Sequence, residues 1–148
     1  MRDLLGPFRR EITAMVDHEH DTIDQAILLW RVHYDVVGRF REQHPDWHFV
    51  RWEDLARAPL EGFASLYASL GLCYDDTVRE RIAADNASGN VREVARSDIG
   101  TIRRHSLATV DIWRHRLDQR DYDRVRDGVG EIAERFYEPD EWALGIAP

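Results

Sequence analysis

A β-strand needs a neighbour for its backbone N–H and C=O groups, and only one segment of this chain reads as a strand. Trp47-His48-Phe49-Val50-Arg51-Trp52 is aromatic and β-branched, and His44-Pro45-Asp46 before it breaks any helix, because proline disfavours helix at the residue it follows. Such a strand either pairs with a segment outside this sequence or lies at an open edge. The expected fold class is therefore mainly α with one β-strand, about six helices in all.

The helices announce themselves by period. Residues 8–17, after Pro7, suit a short helix that ends in the charged run Asp17-His18-Glu19-His20-Asp21. Ile23, Ile27, Trp30, Tyr34 and Val37 then recur at three- and four-residue steps and predict a long amphipathic helix to about Gln43. Glu53-Asp54-Leu55 turns the strand into a short helix, and Pro59 suits the first position of the next, where a missing N–H costs nothing. Leu60, Phe63, Leu66, Tyr67 and Leu70 mark that helix's buried face, with Gly71 as a left-handed stop. Asp75-Asp76-Thr77 predict a cap for a helix through Val78, Ile82 and Ala83. Periodicity fades from Asn86 to Thr101, which reads as a loop. Order returns near Ser106 through Val110 and Trp113. Asp118 caps a last helix carrying Tyr122, Val125, Val129, Ile132 and Phe136, which Pro139 stops.

Composition narrows the chemistry. The 148 residues suffice for one core, so the chain is expected to be a single domain, 1–148, or a piece of one. A net charge of −8 argues against a nucleic-acid partner held through phosphates. All 20 basic residues are Arg, so no mechanism that needs a lysine can operate. Cys73 is the only cysteine, which excludes an internal disulfide and fits a reducing cytoplasm. No apolar run is long enough to span a bilayer, and Gly6-Pro7 interrupts the N-terminus too early for a signal peptide.

The order of certain residues is informative beyond their periods. Trp47 to Leu55, then Pro59, then Leu70-Gly71-Leu72, resembles the late strand, Glu-Asp-Leu turn and following helix of sulfotransferases that use 3′-phosphoadenylyl sulfate. Arg103-Arg104-His105-Ser106, Trp113-Arg114, Leu117, and Phe136-Tyr137 before Trp142 are similar to the C-terminal segment of the same family. The resemblance covers roughly residues 4 to 142. It implies the C-terminal portion of a P-loop-like α/β sulfotransferase fold, which passes sulfuryl in line from the nucleotide donor to an acceptor oxygen or nitrogen. It also implies that Arg103, Arg104 and Ser106 hold the donor's 3′-phosphate, guanidinium groups being suited to bidentate phosphate contacts. His105 departs from the acid that related sequences carry there.

Three expected parts are missing from the sequence. There is no glycine-rich phosphate loop, the only close glycine pair being Gly128 and Gly130 inside a predicted helix. There is no Arg-Asp-Pro site, since Leu4 follows Arg2-Asp3, and no early His or Glu base can be placed. Catalytic residues are therefore unassigned, and the chain is expected to be inactive alone, its partners being the nucleotide sulfate donor or a missing N-terminal half. The donor, 3′-phosphoadenylyl sulfate, is expected only for a complete homologue.

Other constellations read as structural. His18-Glu19-His20 lacks the His-Glu-x-x-His spacing that places two imidazoles on one helix face, so no metal is expected. Glu53 and Asp54 are adjacent, do not face one point, and suit a helix N-terminus. The five tryptophans sit on apolar stripes or the strand and read as core. Cys73 has no basic neighbour to activate it. The rival to an enzyme fragment is a small helical interaction module, which offers its strand or an apolar helix face to another chain, including a second copy in a homodimer.

Overall fold

The computed structural model describes residues 3–93, 103–139 and 141. Among the described residues there are α-helices and 3₁₀ turns and no β-strand, which corrects the expected strand and, with it, the P-loop-like α/β fold. The physical reason is the missing partner. Arg51 has extended backbone, φ −82° and ψ 132°, but no described segment forms a ladder beside it. Trp47 folds back instead, its N–H donating to the His44 carbonyl at 3.0 Å while its ring stacks on His44 at 4.2 Å. Trp52 already begins a helix.

The α-helices among the described residues are α1 (Arg9–Asp17), α2 (Thr22–Gln43), α3 (Trp52–Arg57), α4 (Pro59–Ser69), α5 (Asp76–Asp85), α6 (Ser106–Val110) and α7 (Gln119–Ala133). The 3₁₀ turns Gly6–Phe8 and Ile112–His115 precede α1 and follow α6. Two start signals act as the sequence predicts, the side chains of Asp75 and Asp118 accepting from the N–H groups of Val78 and Asp121 at 2.9 and 2.8 Å, and Asp21, from the charged run, caps α2 in the same way, accepting from the Asp24 N–H at 3.0 Å. Pro59 opens α4. Gly71 has φ +66°, where a Cβ would be strained, and the Leu72 N–H reaches the Tyr67 carbonyl at 2.8 Å to close the helix. The second half of the predicted loop, from 94 to 101, and Trp142 lie outside the described residues.

The chain divides into two compact units, residues 1–48 with 117–148, and 49–116. The first is built on α2 and α7, which run parallel. Their N-terminal ends share Arg124, and their C-terminal ends share Arg135, which approaches Asp35 and Glu42 of α2 at 3.9 and 3.3 Å. Between these ends, a Cβ added at Gly128 would sit 2.7 Å from Ile27, so only glycine allows this approach. Leu28, Tyr122, Val129 and Ala133 are buried, and Phe136 meets Tyr34 edge-on at 5.1 Å. The Tyr34 and Tyr137 hydroxyls share a hydrogen bond of 2.7 Å. α1 joins α2 through the Glu11–Arg31 pair, and Arg31 lies over the buried Phe8 ring.

In the second unit α3 packs on α4 and α6, and α4 packs on α5. Among its described residues, Ala56 and Val110 are the buried apolar ones. Tyr74 donates to the Leu60 carbonyl at 3.0 Å and meets Tyr67 edge-on, which ties the α4–α5 connection to α4. Leu70, expected on the buried face of α4, is half exposed, because it caps the helix where the chain turns away.

Candidate functional site

Arg103, Arg104 and Ser106 belong to the second unit, where they cross the C-terminal end of α5 and enter α6. A helix end leaves its last carbonyls without partners, and here the site residues and two asparagines supply them. Asn86 Nδ2 donates to the Ile82 carbonyl at 2.8 Å. Asn90 Nδ2 donates to the carbonyls of Ala84 and Asp85 at 2.8 and 3.1 Å. The Arg104 N–H donates to the Asp85 carbonyl, and the His105 N–H to that of Val91, each at 3.0 Å. The Ser106 hydroxyl donates to Asn86 Oδ1. Two backbone N–H groups and the Ser106–Asn86 pair thus staple segment 103–106 to the end of α5 and the residues that follow it.

The three predicted residues lie along one short segment held at the end of α5, and their side chains differ in what they can still bind. Arg103 Nε lies 3.4 Å from Asp85 Oδ1, and Arg81 Nε donates to the other oxygen, Oδ2, at 2.6 Å. Asp85 is half-buried, its Oδ1 atom is shut off from solvent, and that oxygen accepts no hydrogen bond. Arg104 is exposed, and among the described residues no carboxylate forms an ion pair with its guanidinium. Two guanidiniums, of Arg81 and Arg103, therefore meet one carboxylate, a local surplus of positive charge on a chain of net charge −8. Ser106 commits its proton to Asn86, so it donates to an incoming anion only after rotating. With five residues, α6 is too short for its own end to attract an anion, and any grip comes from the side chains.

Sequence reading did not find Asp85 and Asn86. Their spacing to the arginines spans about twenty residues, and an Asp-Asn pair at a helix end suggests nothing more than a cap.

The other constellations settle into structural roles. His18 closes α1 in extended backbone, and His20 Nδ1 lies 3.9 Å from Asp24. Among the described residues no group of His, Cys, Asp and Glu is arranged to hold a metal ion. Glu53 and Asp54 occupy the first turn of α3, where Asp54 lies 3.4 Å from Arg51 and 3.7 Å from Arg57. Trp47 and Trp52 are each 51% exposed rather than core, whereas Trp30 stacks on Tyr34 at 3.9 Å. Cys73 is exposed between α4 and α5.

In the first unit, Arg124 is the electrostatic centre. Its Nη2 donates to Asp24 at 2.7 Å and to both Asp21 oxygens at 2.8 and 2.9 Å, and its Nη1 donates to Asp121 at 3.0 Å. The Asp21 carboxyl is held below its ordinary value first by the Asp24 N–H and then by Arg124. The Arg124 guanidinium is held above its own, chiefly by Asp24. Two parallel helices bring two positive dipole ends together, and these carboxylates offset that charge. A shallow groove lined by Gly38, Arg41, Glu42, Arg135 and Phe136 lies at the other end of the pair, where Arg135 already faces Glu42.

No helix among the described residues is long and apolar enough to cross a membrane. Comparison of the chain with family models, with curated proteins and with solved structures finds no match.

Proposed function

We propose that this chain is a sulfotransferase-like polypeptide, corresponding to the C-terminal part of an enzyme that moves sulfuryl from 3′-phosphoadenylyl sulfate to an acceptor, and that it does not perform the transfer alone. One observation carries the reading: Arg103, Arg104 and Ser106, which the resemblance assigns to the nucleotide's 3′-phosphate, are clustered on one helix end with the Arg104 guanidinium exposed. In-line sulfuryl transfer asks the protein to position reactants and to stabilise charge on the moving oxygens. A 3′-phosphate grip does the first and not the second. The second belongs to a glycine-rich loop that this sequence does not contain, which a missing N-terminal half would supply. A reducing cytoplasm is the compartment we assign, on the single exposed thiol of Cys73.

Isothermal titration with adenosine 3′,5′-bisphosphate tests this. The chain should bind no tighter than micromolar, and a sub-micromolar affinity overturns the claim that it lacks half of its grip. In a complete homologue, Arg104→Ala should weaken nucleotide binding by about tenfold, the scale of one charge-assisted contact. An unchanged affinity there removes the site assignment.

A second reading is favoured by the surface of the 49–116 unit. Phe49, Val50 and Trp52 are 38%, 48% and 51% exposed within four residues of one another, as in a small module that docks another chain. Light scattering separates the two. A module should be a clean monomer or symmetric dimer, whereas an enzyme fragment should associate without a defined stoichiometry.

A further inference from the structure

Resting on the phosphate-holding reading, we propose that Asp85 is a built-in competitor for that site, a carboxylate that occupies Arg103 when no anion is bound and so sets how tightly an anion is held. The geometry has three parts. Asp85 Oδ1 faces Arg103 Nε at 3.4 Å, is buried, and accepts no hydrogen bond. Its attraction to Arg103 is therefore coulombic and leaves the guanidinium N–H groups free to turn toward a stronger acceptor. Its other oxygen is anchored by Arg81 at 2.6 Å, so the carboxylate stays in place when Arg103 leaves. Finally, the backbone on both sides of the contact is pinned, by the Arg104 N–H on the Asp85 carbonyl and by Ser106 on Asn86. Arg103 can therefore exchange partners by side-chain rotation alone, its side chain being 62% exposed.

The device has a direction. An arriving phosphate gains Arg103 only by drawing it from Asp85, and it meets the negative charge of Asp85 on the way. Removing that charge should tighten anion binding, whereas a carboxylate that merely caps α5 or orders Arg103 would, when removed, leave binding unchanged or weaker. Arg81 acts in the opposite sense. It holds part of the Asp85 charge, so losing it should leave Asp85 a stronger grip on Arg103.

The test is a titration of the full chain with inorganic phosphate at constant ionic strength, followed by NMR at the Arg103 Nε–H and at the amides of Arg104 and Ser106. The unaltered chain should show saturable shifts at these groups in the millimolar range. Asp85→Asn should bind about fivefold tighter, the worth of one partly exposed ion pair, and Arg81→Gln about twofold weaker. If the unaltered chain shows no shifts at Arg104 and Ser106, the phosphate-holding reading falls and this proposal with it. If it does bind, and Asp85→Asn binds equally or more weakly, only the competitor role is overturned. Should Asp85→Asn fail to fold, Arg81→Gln decides, because Arg81 is exposed, and an unchanged affinity there overturns the proposal.

Discussion

The two units bury and bind by different means. In the 1–48 and 117–148 unit, two helices of 22 and 15 residues lie side by side, with Leu28, Tyr122, Val129 and Ala133 buried and each end closed by an arginine. Among the described residues of the 49–116 unit the longest helix has 11 residues, the buried apolar residues are Ala56 and Val110, and segment 103–106 is held by the Arg104 N–H on the Asp85 carbonyl and by Ser106 on Asn86. Apolar burial is non-directional and roughly proportional to area, so the first unit gains stability from length. Hydrogen bonds are directional and individually worth little net. The second unit thus places side chains accurately on little core, and it is the unit that carries the candidate site.

The largest expected effect tests the first half of that contrast. Tyr122→Ala removes a 6% exposed ring from the α2–α7 seam and should cost about 3 kcal/mol or more. Val110→Ala, in the second unit, removes two methyl groups and should cost about 1.5 kcal/mol. Thermal melts followed by circular dichroism measure both. Equal losses would mean that the two units rest on comparable cores, and the comparison would fail.

Next in size is the staple. Asn86 donates to the Ile82 carbonyl and accepts from Ser106, so Asn86→Ala should cost about 1 to 2 kcal/mol. It should also raise amide exchange at Arg104 and His105 while leaving the α2 and α7 amides protected. Uniform loss of protection over the whole chain would show that the staple supports global folding rather than the local placement of residues 103–106.

How much of this the sequence disclosed follows the same division. Local signals were legible: the caps at Asp75 and Asp118, the proline at the start of α4, the left-handed Gly71, and the length of α2 all depend on residues within one or two turns. The aromatic run at 47–52 misled because strand propensity describes a fit to a pleated, half-buried surface, and no described partner supplies that surface. The last helix stops at Ala133, short of the predicted Phe136, because Phe136 and Tyr137 turn back onto α2, where Tyr34 receives them. The candidate site was legible only as three residues in a row. Its controlling neighbours, Asp85 and Asn86, and the pairing of Arg124 with carboxylates about a hundred positions away, are products of chain folding that no local window contains.

The smallest expected effect concerns that distant pairing and its response to acid. Asp21 titrates below its ordinary value of 3.8 in the folded chain, so the folded state binds fewer protons than the unfolded chain does. Its contribution is therefore fully present above that ordinary value and is lost as pH falls through the lower, folded one. The largest cause of the depression is the Asp24 N–H, a cap that survives any change at Arg124. Arg124→Ala should consequently raise the Asp21 titration midpoint without restoring it to 3.8, and should flatten part of the loss of stability below about pH 4. Carboxyl NMR titration of both proteins reads the midpoint, and melts between pH 3 and 6 read the slope. A complete return to the ordinary value would show that Arg124, and not the helix cap, governs this end of the α2–α7 pair. The stability of the first unit would then depend on an ion pair that salt can screen, and its advantage over the hydrogen-bonded unit should shrink as ionic strength rises.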